Sequence, residues 1–505
     1  MIEEARRQLA STDPKDPDAV FAAGRAALDA GIEEEAVPLL QAALRVQPQV
    51  ARLWQVLGLA YRGLDELAAA VTALDHAARL GANDALIAHG LARAALEAGL
   101  PATALFDRAR RLAPNDLSIL LGRAAAQHAE GRAAEAIADL DAELSRRPDW
   151  ILGHSTLARL RWMHGDRDAF ARSFERALAQ CPADQNLWAE LIHTYVQAEL
   201  YEPALAAIAR ARAATGFPPV FDAMEAVAHA ERGDTATADR LFARIGPPRH
   251  LSLVVRLVRH HLRSGRPEAA AGLAEAHVGA DPDGALWPYL SAAWRLTGRS
   301  DRWGWLEGDP RFVGVYDVAD RIGDVAALAE RLRTLHLASD QPLEQSVRGG
   351  TQTDGPLFAR IDPEIRALRQ GIAGAVAQHI AQLPPPRADH PLLRSPRRGR
   401  VRFSGSWSVR LTGGGRHANH VHPAGWFSSA LYVALPGEAE RGPAPAGWLT
   451  LGEVPELGLG LEPFRTIEPK PGRLVLFPST MWHGTRPFAA GERLTVAFDV
   501  ARLSG

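Results

Sequence analysis

The sequence predicts a multidomain protein in which an all-α solenoid is followed by an α+β domain built on short strands. Three observations support this prediction. A chain of 505 residues is too long for one hydrophobic core. Small and apolar residues recur at a regular interval through the first half of the chain. From Phe403 onward, short β-rich runs separated by Gly and Pro replace the helical spacing.

The composition is that of an ordinary globular protein, with 47% hydrophobic residues, 23% charged residues and a net charge of −2. Because so small a charge attracts neither nucleic acid nor anionic membrane, we expect no nucleic-acid and no membrane partner. The charged N-terminus lacks the apolar run of a signal peptide, which favours a cytoplasmic location. Cys181 is the single cysteine, so an internal disulfide and a cysteine-based metal site are excluded.

The repeated residues of the first half are Gly and Ala, which let helices approach closely, and Leu, which fills the gap between them. Gly24, Ala36, Leu40 and Ala43 recur 34 positions later (58 − 24 = 34) as Gly58, Ala70, Leu74 and Ala77. A third set is Gly90, Ala102, Phe106 and Ala109, after a slip in loop length. This pattern resembles the tetratricopeptide repeat, and it predicts a helical solenoid over residues 1–295.

The resemblance implies that the concave face of the solenoid binds a protein or peptide partner. A purely structural spacer or a dimerisation arm is the alternative. Residues 296–345 are predicted as a helical linker, with a helix from Asp324 to Leu337. The polar, glycine-bearing stretch 340–353 predicts a loop. Asp362 and Pro363 predict the start of a helix that ends before the prolines at 384–386.

Residues 346–505 are predicted as one domain. Its six candidate strands alternate with turn residues, a pattern typical of a sandwich or barrel. They are Ser406–Leu411, Phe427–Leu435, Trp448–Leu451, Phe464–Ile467, Arg473–Phe477 and Leu494–Ala501.

Histidines in this domain predict a metal site. His420 and His422 are two residues apart, so on a strand their imidazoles would point to the same face. His483, on a distant strand, would complete one face of a metal ion. Arg493 follows at the place where a bidentate clamp for a carboxylate is needed. The pair His417 and Asn419, on the opposite strand face, is an alternative within the same motif.

A family resemblance rests on several of these segments together. They are His420-Val421-His422, the strand Ser429–Val433, the strand Gly447–Leu449, the turn and strand from Glu468 to Ser479, His483 and Arg493. The domain resembles the double-stranded β-helix, or jelly-roll, of the iron- and 2-oxoglutarate-dependent oxygenases. The similarity is to the prolyl-hydroxylase-like branch, and in particular to its bacterial members that are linked to tetratricopeptide repeats.

The resemblance implies a dioxygenase that consumes 2-oxoglutarate and dioxygen and hydroxylates a protein or peptide side chain. His420, His422 and His483 would hold Fe(II) and, together with Arg493, form the catalytic set. Arg493, Thr495 and Tyr432 would bind 2-oxoglutarate through its far carboxylate.

One departure from the family bears on this expectation. The family has His-x-Asp where this sequence has His422, so three neutral imidazoles would leave the metal one charge unit more positive. Such a set also suits zinc. Two alternatives follow: a binding scaffold with an inactive or structural-metal domain, and a three-histidine dioxygenase that does not use 2-oxoglutarate. Arg493 distinguishes the 2-oxoglutarate-dependent enzyme from these alternatives, because a site without that cosubstrate has no need of a buried cation.

Overall fold

The computed structural model describes residues 1–216, 218–343, 345–397 and 400–502, so residue 344 of the predicted loop and the last three residues of the predicted C-terminal domain lie outside it. The chain forms two compact units. The first comprises Met1–Ala142 with Asp354–Arg366, and the second comprises residues 143–353 and the chain from Ala367 onward. None of the described helices combines the length and the hydropathy that crossing a bilayer requires.

The first unit is a series of antiparallel helix pairs. Its helices are α1 (Ile2–Ser11), α2 (Pro17–Asp29), α3 (Glu33–Val46), α4 (Ala51–Gly63), α5 (Leu67–Leu80), α6 (Ala85–Glu97), α7 (Thr103–Leu112) and α8 (Leu117–Ala129). Helices α2 and α6 begin where an aspartate accepts hydrogen bonds from the first free backbone amides; these are Asp16 and Asp84. Two further helices, α9 (Ala133–Arg146) and α21 (Pro363–Gln382), contribute residues to both units.

The small repeated residues lie where helices cross. A Cβ atom added to Gly58 would lie 2.5 Å from Leu74 Cγ, and one added to Gly24 would lie 2.9 Å from Val56 Cγ1. Both observations confirm the close helix approach that the repeat predicts. For Gly90 the prediction is wrong, since the nearest atom to its added Cβ is 3.6 Å away. Ala92, which is fully buried, stands 34 residues after Gly58 (92 − 58 = 34).

Helix pairs continue in the second unit. They are α10 (Ile151–Met163), α11 (Arg172–Gln180), α12 (Gln185–Gln197), α13 (Tyr201–Thr215), α14 (Pro219–Arg232), α15 (Thr235–Ile245), α16 (Leu251–Arg263), α17 (Pro267–His277), α18 (Trp287–Leu296) and α19 (Ser300–Glu307). Single helices α20 (Val325–Leu335) and α22 (Glu438–Arg441) belong to the part of the unit that contains the strands.

Two antiparallel sheets complete the second unit. The strands are β1 (Gly314–Asp317), β2 (Val347–Gln352), β3 (Phe403–His417), β4 (Phe427–Ala434), β5 (Leu449–Leu451), β6 (Arg465–Ile467), β7 (Arg473–Pro478), β8 (His483–Thr485) and β9 (Arg493–Val500). One sheet has the order β1-β7-β4-β9-β3-β2, and the other has the order β6-β5-β8. Apolar side chains from both sheets form one core, which includes Tyr432, Leu449, Leu451, Val475 and Phe477.

The structure confirms the predicted fold class, a helical solenoid followed by an α+β domain, and all six predicted strands. The loop prediction for residues 340–353 is wrong over Val347–Gln352, because this stretch pairs with β3 as an edge strand. Its glycines have a packing reason: a Cβ at Gly350 would collide with the carbonyl oxygen of Arg410. β1, within the segment predicted as a helical linker, pairs with β7.

The last helix pairs pack against the sheets within the second unit. The Trp482 indole Nε1–H donates to Pro288 O at 3.0 Å, and the Trp482 ring meets Tyr289 edge to face. The Arg295 guanidinium, on α18, donates to the carbonyl oxygens of Gly452 and Glu462. The helices therefore support the loops that surround β8.

Candidate metal and cosubstrate site

The structure brings His420, His422 and His483 together. One ring nitrogen of each lies within 4.8 Å of the others. The ring centroids are 4.2 Å apart for His420 and His483, 4.8 Å for His420 and His422, and 5.3 Å for His422 and His483. Three nitrogens this close together could hold one metal ion.

The reason for this convergence differs from the predicted one. His420 and His422 do not lie on a regular strand, because β3 ends at His417. Instead, the His420 amide donates to His483 O at 3.0 Å and the His483 amide donates to His420 O at 3.1 Å. The His422 amide donates to Ser479 O at 2.8 Å. Pairing with the segment around β8 therefore places both histidines.

Each imidazole is oriented by a hydrogen bond from its Nδ1 atom. His420 Nδ1 lies 2.8 Å from Ala418 O, and His483 Nδ1 lies 2.9 Å from Met481 O. His422 Nδ1 lies 2.9 Å from Asp499 Oδ2. Since these oxygens only accept, the proton belongs on Nδ1 in each ring, and each Nε2 keeps its lone pair. This is the tautomer that metal-ligating histidines adopt.

Electrostatics keep the rings of His420 and His483 neutral. Burial, followed by the charges of the neighbouring histidines, lowers the pKa of His420 and of His483 well below the usual value. Neutral imidazoles are the form that binds a metal ion.

The alternative pair, His417 and Asn419, is not brought together. Burial, aided by the charge of Arg493, lowers the pKa of His417 to about 3. Its Nδ1 lies 3.2 Å from Ser346 Oγ, which also lies 3.2 Å from His420 Nε2. The Asn419 side chain donates instead to Glu453 O at 2.8 Å. His417 therefore lines the same cavity as the three-histidine cluster, whereas Asn419 does not.

Arg493 lies within the same cavity as the histidines and is only 2% exposed. Its Nη1–H donates to Gly447 O at 2.9 Å. Its Nε and the hydroxyl of Tyr432 are both buried without a hydrogen-bond partner among the described residues. The Arg493 Cζ lies 5.1 Å from the centroid of the Tyr432 ring. Burial lowers the pKa of Arg493 and raises that of Tyr432.

Sheet register places the third predicted cosubstrate residue beside these two. Thr495 is two residues beyond Arg493 on β9 and pairs directly with Tyr432 on β4, so all three side chains point to one face. The Thr495 hydroxyl is buried and makes a long, 3.5 Å contact with Val409 O.

The residues present fit the groups that the sequence implies. The cavity encloses about 570 Å³, part of it open to solvent, between the three imidazoles and Arg493. The Nε–H group of Arg493 and the hydroxyl of Tyr432 are buried without a hydrogen-bond partner among the described residues. Such burial costs folding free energy unless a ligand accepts their hydrogen bonds. A carboxylate is the acceptor that both a guanidinium Nε–H and a phenol can donate to.

Sequence reasoning missed several residues of this cavity, and three of them, Asp499, Trp407 and Ser346, contact the histidines. Asp499, which orients His422, also accepts a hydrogen bond from Ser428 Oγ at 2.6 Å. The sequence contained a signal for Asp499, because every second residue of β9 lines the cavity. These residues are Arg493, Thr495, Ala497 and Asp499. Trp407 stacks on His422 with centroids 5.5 Å apart. Ser346 lies in the predicted loop, where no pattern marks it.

Two tryptophans close to the histidines in sequence, Trp426 and Trp482, do not line the cavity. The Trp426 indole donates to Leu392 O at 2.9 Å, and the Trp482 indole donates to Pro288 O. Both are core residues, at most 5% exposed.

Comparison with known proteins finds a family similar to the part of the chain that contains this cavity. Residues 405–499 match the family model described as "Putative 2OG-Fe(II) oxygenase". A search of curated proteins returned no match.

Several solved structures are similar over parts of the chain. A tetratricopeptide repeat protein from Parabacteroides merdae is 19% identical, over 46% of this chain and 94% of its own, with a TM-score of 0.30. A thermophilic tetratricopeptide repeat protein from Thermus thermophilus is 21% identical, over 35% and 97%, with a TM-score of 0.26. A prolyl-4-hydroxylase from Pseudomonas putida is 20% identical, over 38% and 94%, with a TM-score of 0.25.

All three histidines, Tyr432, Arg493, Thr495 and Asp499 fall within the matched residues. The C-terminal part of this chain is thus similar to the 2OG-Fe(II) oxygenase family.

Proposed function

We propose that the chain is a 2-oxoglutarate- and Fe(II)-dependent dioxygenase that hydroxylates a protein or peptide side chain recruited by the repeats. One observation carries this proposal. Three imidazoles, each with Nδ1 hydrogen-bonded elsewhere, share one cavity with a buried guanidinium whose Nε lacks a partner among the described residues. The match of residues 405–499 to the oxygenase family supports it.

His420, His422 and His483 are the residues that would hold the iron. When bound, iron(II) with 2-oxoglutarate and dioxygen supplies the oxidative decarboxylation that yields succinate, carbon dioxide and a hydroxylated C–H. The hydrogen bonds to Ala418 O, Met481 O and Asp499 fix the three ring planes before the metal arrives. Little ordering entropy is then lost on binding.

Arg493, Tyr432 and Thr495 would hold the far carboxylate of 2-oxoglutarate. The bond from Nη1 to Gly447 O fixes the guanidinium plane, and the remaining N–H groups keep their capacity to donate. Charge favours the same ligand. The cavity holds the Arg493 cation and the Asp499 carboxylate, which is engaged by His422 and Ser428. These two charges cancel, so the two positive charges of a bound Fe(II) would be balanced by the dianion.

Recruitment of a polypeptide by the repeats is supported by a groove within the first unit. It encloses about 940 Å³ and is lined by equivalent positions of successive repeats. Phe21, Gln55 and His89 are spaced by 34 residues (55 − 21 = 34, 89 − 55 = 34), as are Arg25, Leu59 and Arg93. An inner groove with a repeated lining is the surface that helical solenoids offer to extended partners.

The proposal is tested by measuring succinate release from 2-oxoglutarate with Fe(II), together with 2-oxoglutarate affinity on the chain loaded with Mn(II). Arg493→Leu should lower that affinity about 100-fold, because a buried hydrogen-bonded ion pair is lost. Arg493→Lys, which keeps the charge but not the fork of donors, should recover part of it. Arg465→Leu, on β6 outside the cavity, is the matched control and should leave the affinity unchanged.

A second candidate is a three-histidine dioxygenase that needs no 2-oxoglutarate. It is favoured by the absence of a carboxylate ligand in the described metal-binding cluster. Metal-dependent oxygen consumption that is independent of 2-oxoglutarate and unaffected by Arg493→Leu would establish it. Failure to bind any divalent metal would leave the repeat scaffold as the function.

A further inference from the structure

A second cavity meets the metal and cosubstrate site. The two cavities share Gln345, Ser346 and His420 as lining residues, and all the residues that line the second one belong to the second unit. A molecule in the second cavity can therefore reach His420, one of the three clustered histidines. We call this second cavity the substrate cleft.

The repeats supply one wall of the substrate cleft. Helices α10, α12, α13, α14 and α16 contribute side chains to it, and these include Trp162, His193, Gln197, Tyr201, Glu231 and Arg256. The other wall is formed by side chains that lie outside the helical repeats. They are Gln341, Pro342, Leu343, Gln345, Ser346, Arg348, Ala418, Asn419 and Glu456. The inner face of the solenoid thus lies opposite the loops that carry the metal-site histidines.

The lining of the cleft indicates the class of molecule that it takes. The cleft offers about 760 Å³ of space and is open to solvent. Its lining is rich in amide and hydroxyl side chains, including Gln197, Gln341, Gln345 and Tyr201. Such groups can bond the N–H and C=O groups of an extended main chain.

A cluster of arginines on α16 gives the repeat wall a net positive charge. Glu231 is nearly buried, and its oxygens accept bonds from Arg259 at 2.6 and 3.0 Å and from Arg263 at 3.0 Å. Arg256 stands 3.6 Å from the same carboxylate, is 45% exposed and makes no hydrogen bond to it. Three guanidinium groups around one carboxylate leave Arg256 able to pair with a further anion.

We infer that the substrate cleft binds an extended polypeptide, that an acidic side chain of this polypeptide pairs with Arg256, and that a residue farther along it reaches the three-histidine cluster past Ser346. This inference rests on the proposed function for the oxidation itself. The binding of the peptide in the cleft does not depend on turnover.

Binding is tested with a randomised 12-residue peptide library, selected on the full chain loaded with Mn(II) and 2-oxoglutarate. The selected peptides should be enriched in Asp and Glu, and Arg256→Glu should weaken their binding about tenfold. Arg240→Glu, on α15 outside the cleft, is the matched control and should leave their binding unchanged. Selected peptides without acidic residues, or peptides unaffected by Arg256→Glu, overturn the assignment of Arg256.

Occupancy of the cleft is tested by filling it. Gln197→Trp places a large ring on α12 and should abolish peptide binding, while the affinity for 2-oxoglutarate is unchanged. Gln180→Trp, at the exposed end of α11, should alter neither.

Peptide binding that survives Gln197→Trp overturns the inference. Selection of no peptide by a chain that binds 2-oxoglutarate, or succinate release stimulated by free amino acids and by no peptide, overturns it as well. Absence of 2-oxoglutarate binding would instead contradict the proposed function, and Gln197→Trp would still decide where the peptide lies.

Discussion

At the scale of single residues, the site depends on which ring nitrogen of each histidine is already hydrogen-bonded. Two of the Nδ1 atoms bond backbone carbonyls, whereas His422 bonds the carboxylate of Asp499. His422 stands where the resemblance implies a carboxylate ligand, and the Asp499 carboxylate lies behind it, hydrogen-bonded to its Nδ1 atom. A charged acceptor raises the basicity of the imidazole it bonds, so Asp499 should strengthen His422 as a ligand.

Asp499→Asn tests this role. The amide oxygen can still accept from His422 Nδ1, but the charge is lost, so Mn(II) affinity should fall about tenfold, and Asp499→Ala should lower it up to about 100-fold. Isothermal titration of the purified chain measures both effects. Asp320→Asn, an exposed aspartate away from the cavity, serves as the control. An Mn(II) affinity equal to that of the unaltered chain would show that Asp499 has only a structural role.

At the scale of elements, the repeats depend on how closely successive helices cross. Gly58, on α4, faces Leu74 on α5 with no room for a methyl group, whereas Gly90, on α6, lies beside the inner groove. The sequence pattern treats the two glycines alike, but the structure separates them. Helix α6 begins 34 residues after α4 (85 − 51 = 34), so the position equivalent to Gly58 is Ala92 and not Gly90.

The two glycines should respond in opposite directions to the same substitution. Gly58→Ala should destabilise the first unit by about 1–3 kcal/mol through overpacking against Leu74. Gly90→Ala should be neutral or stabilise it by up to about 1 kcal/mol, since alanine is the better helix former and has space. Urea unfolding followed by far-UV circular dichroism compares them. Equal effects of the two changes would contradict the close crossing at Gly58.

At the scale of the whole molecule, the chain divides after Ala142 and not at the end of the helical repeats. Contacts such as those of Arg295 and Trp482 join the later helices to the sheets within the second unit. The domain limits 1–295, 296–345 and 346–505 stay predictions from the sequence. The three-histidine cluster belongs to the second unit alone, and so do both walls of the substrate cleft.

Metal binding should therefore stabilise the second unit selectively. An ion present at 100 times its dissociation constant adds about 2.7 kcal/mol to the state that binds it. Hydrogen exchange with and without Mn(II) should show slower exchange at residues 418–422 and 479–485, and no change in α2 to α5. A chelator should reverse the effect, and His483→Ala should abolish it. Protection gained equally in both units would mean that the ion binds elsewhere.

The sequence by itself determined the solenoid, six of the described strands, and the set of three histidines with Arg493. These features are local or periodic: a 34-residue interval, alternation along a strand, and a short motif with ligand-type side chains. Only the tertiary structure decided that β1 and β2 join the large sheet, that Asp499 and Ser346 meet the histidines, and that the repeats wall the substrate cleft. Ser346 and His420 are 74 positions apart, and pairing over such a distance is set by the packing of the two sheets and the helices, which no local pattern records.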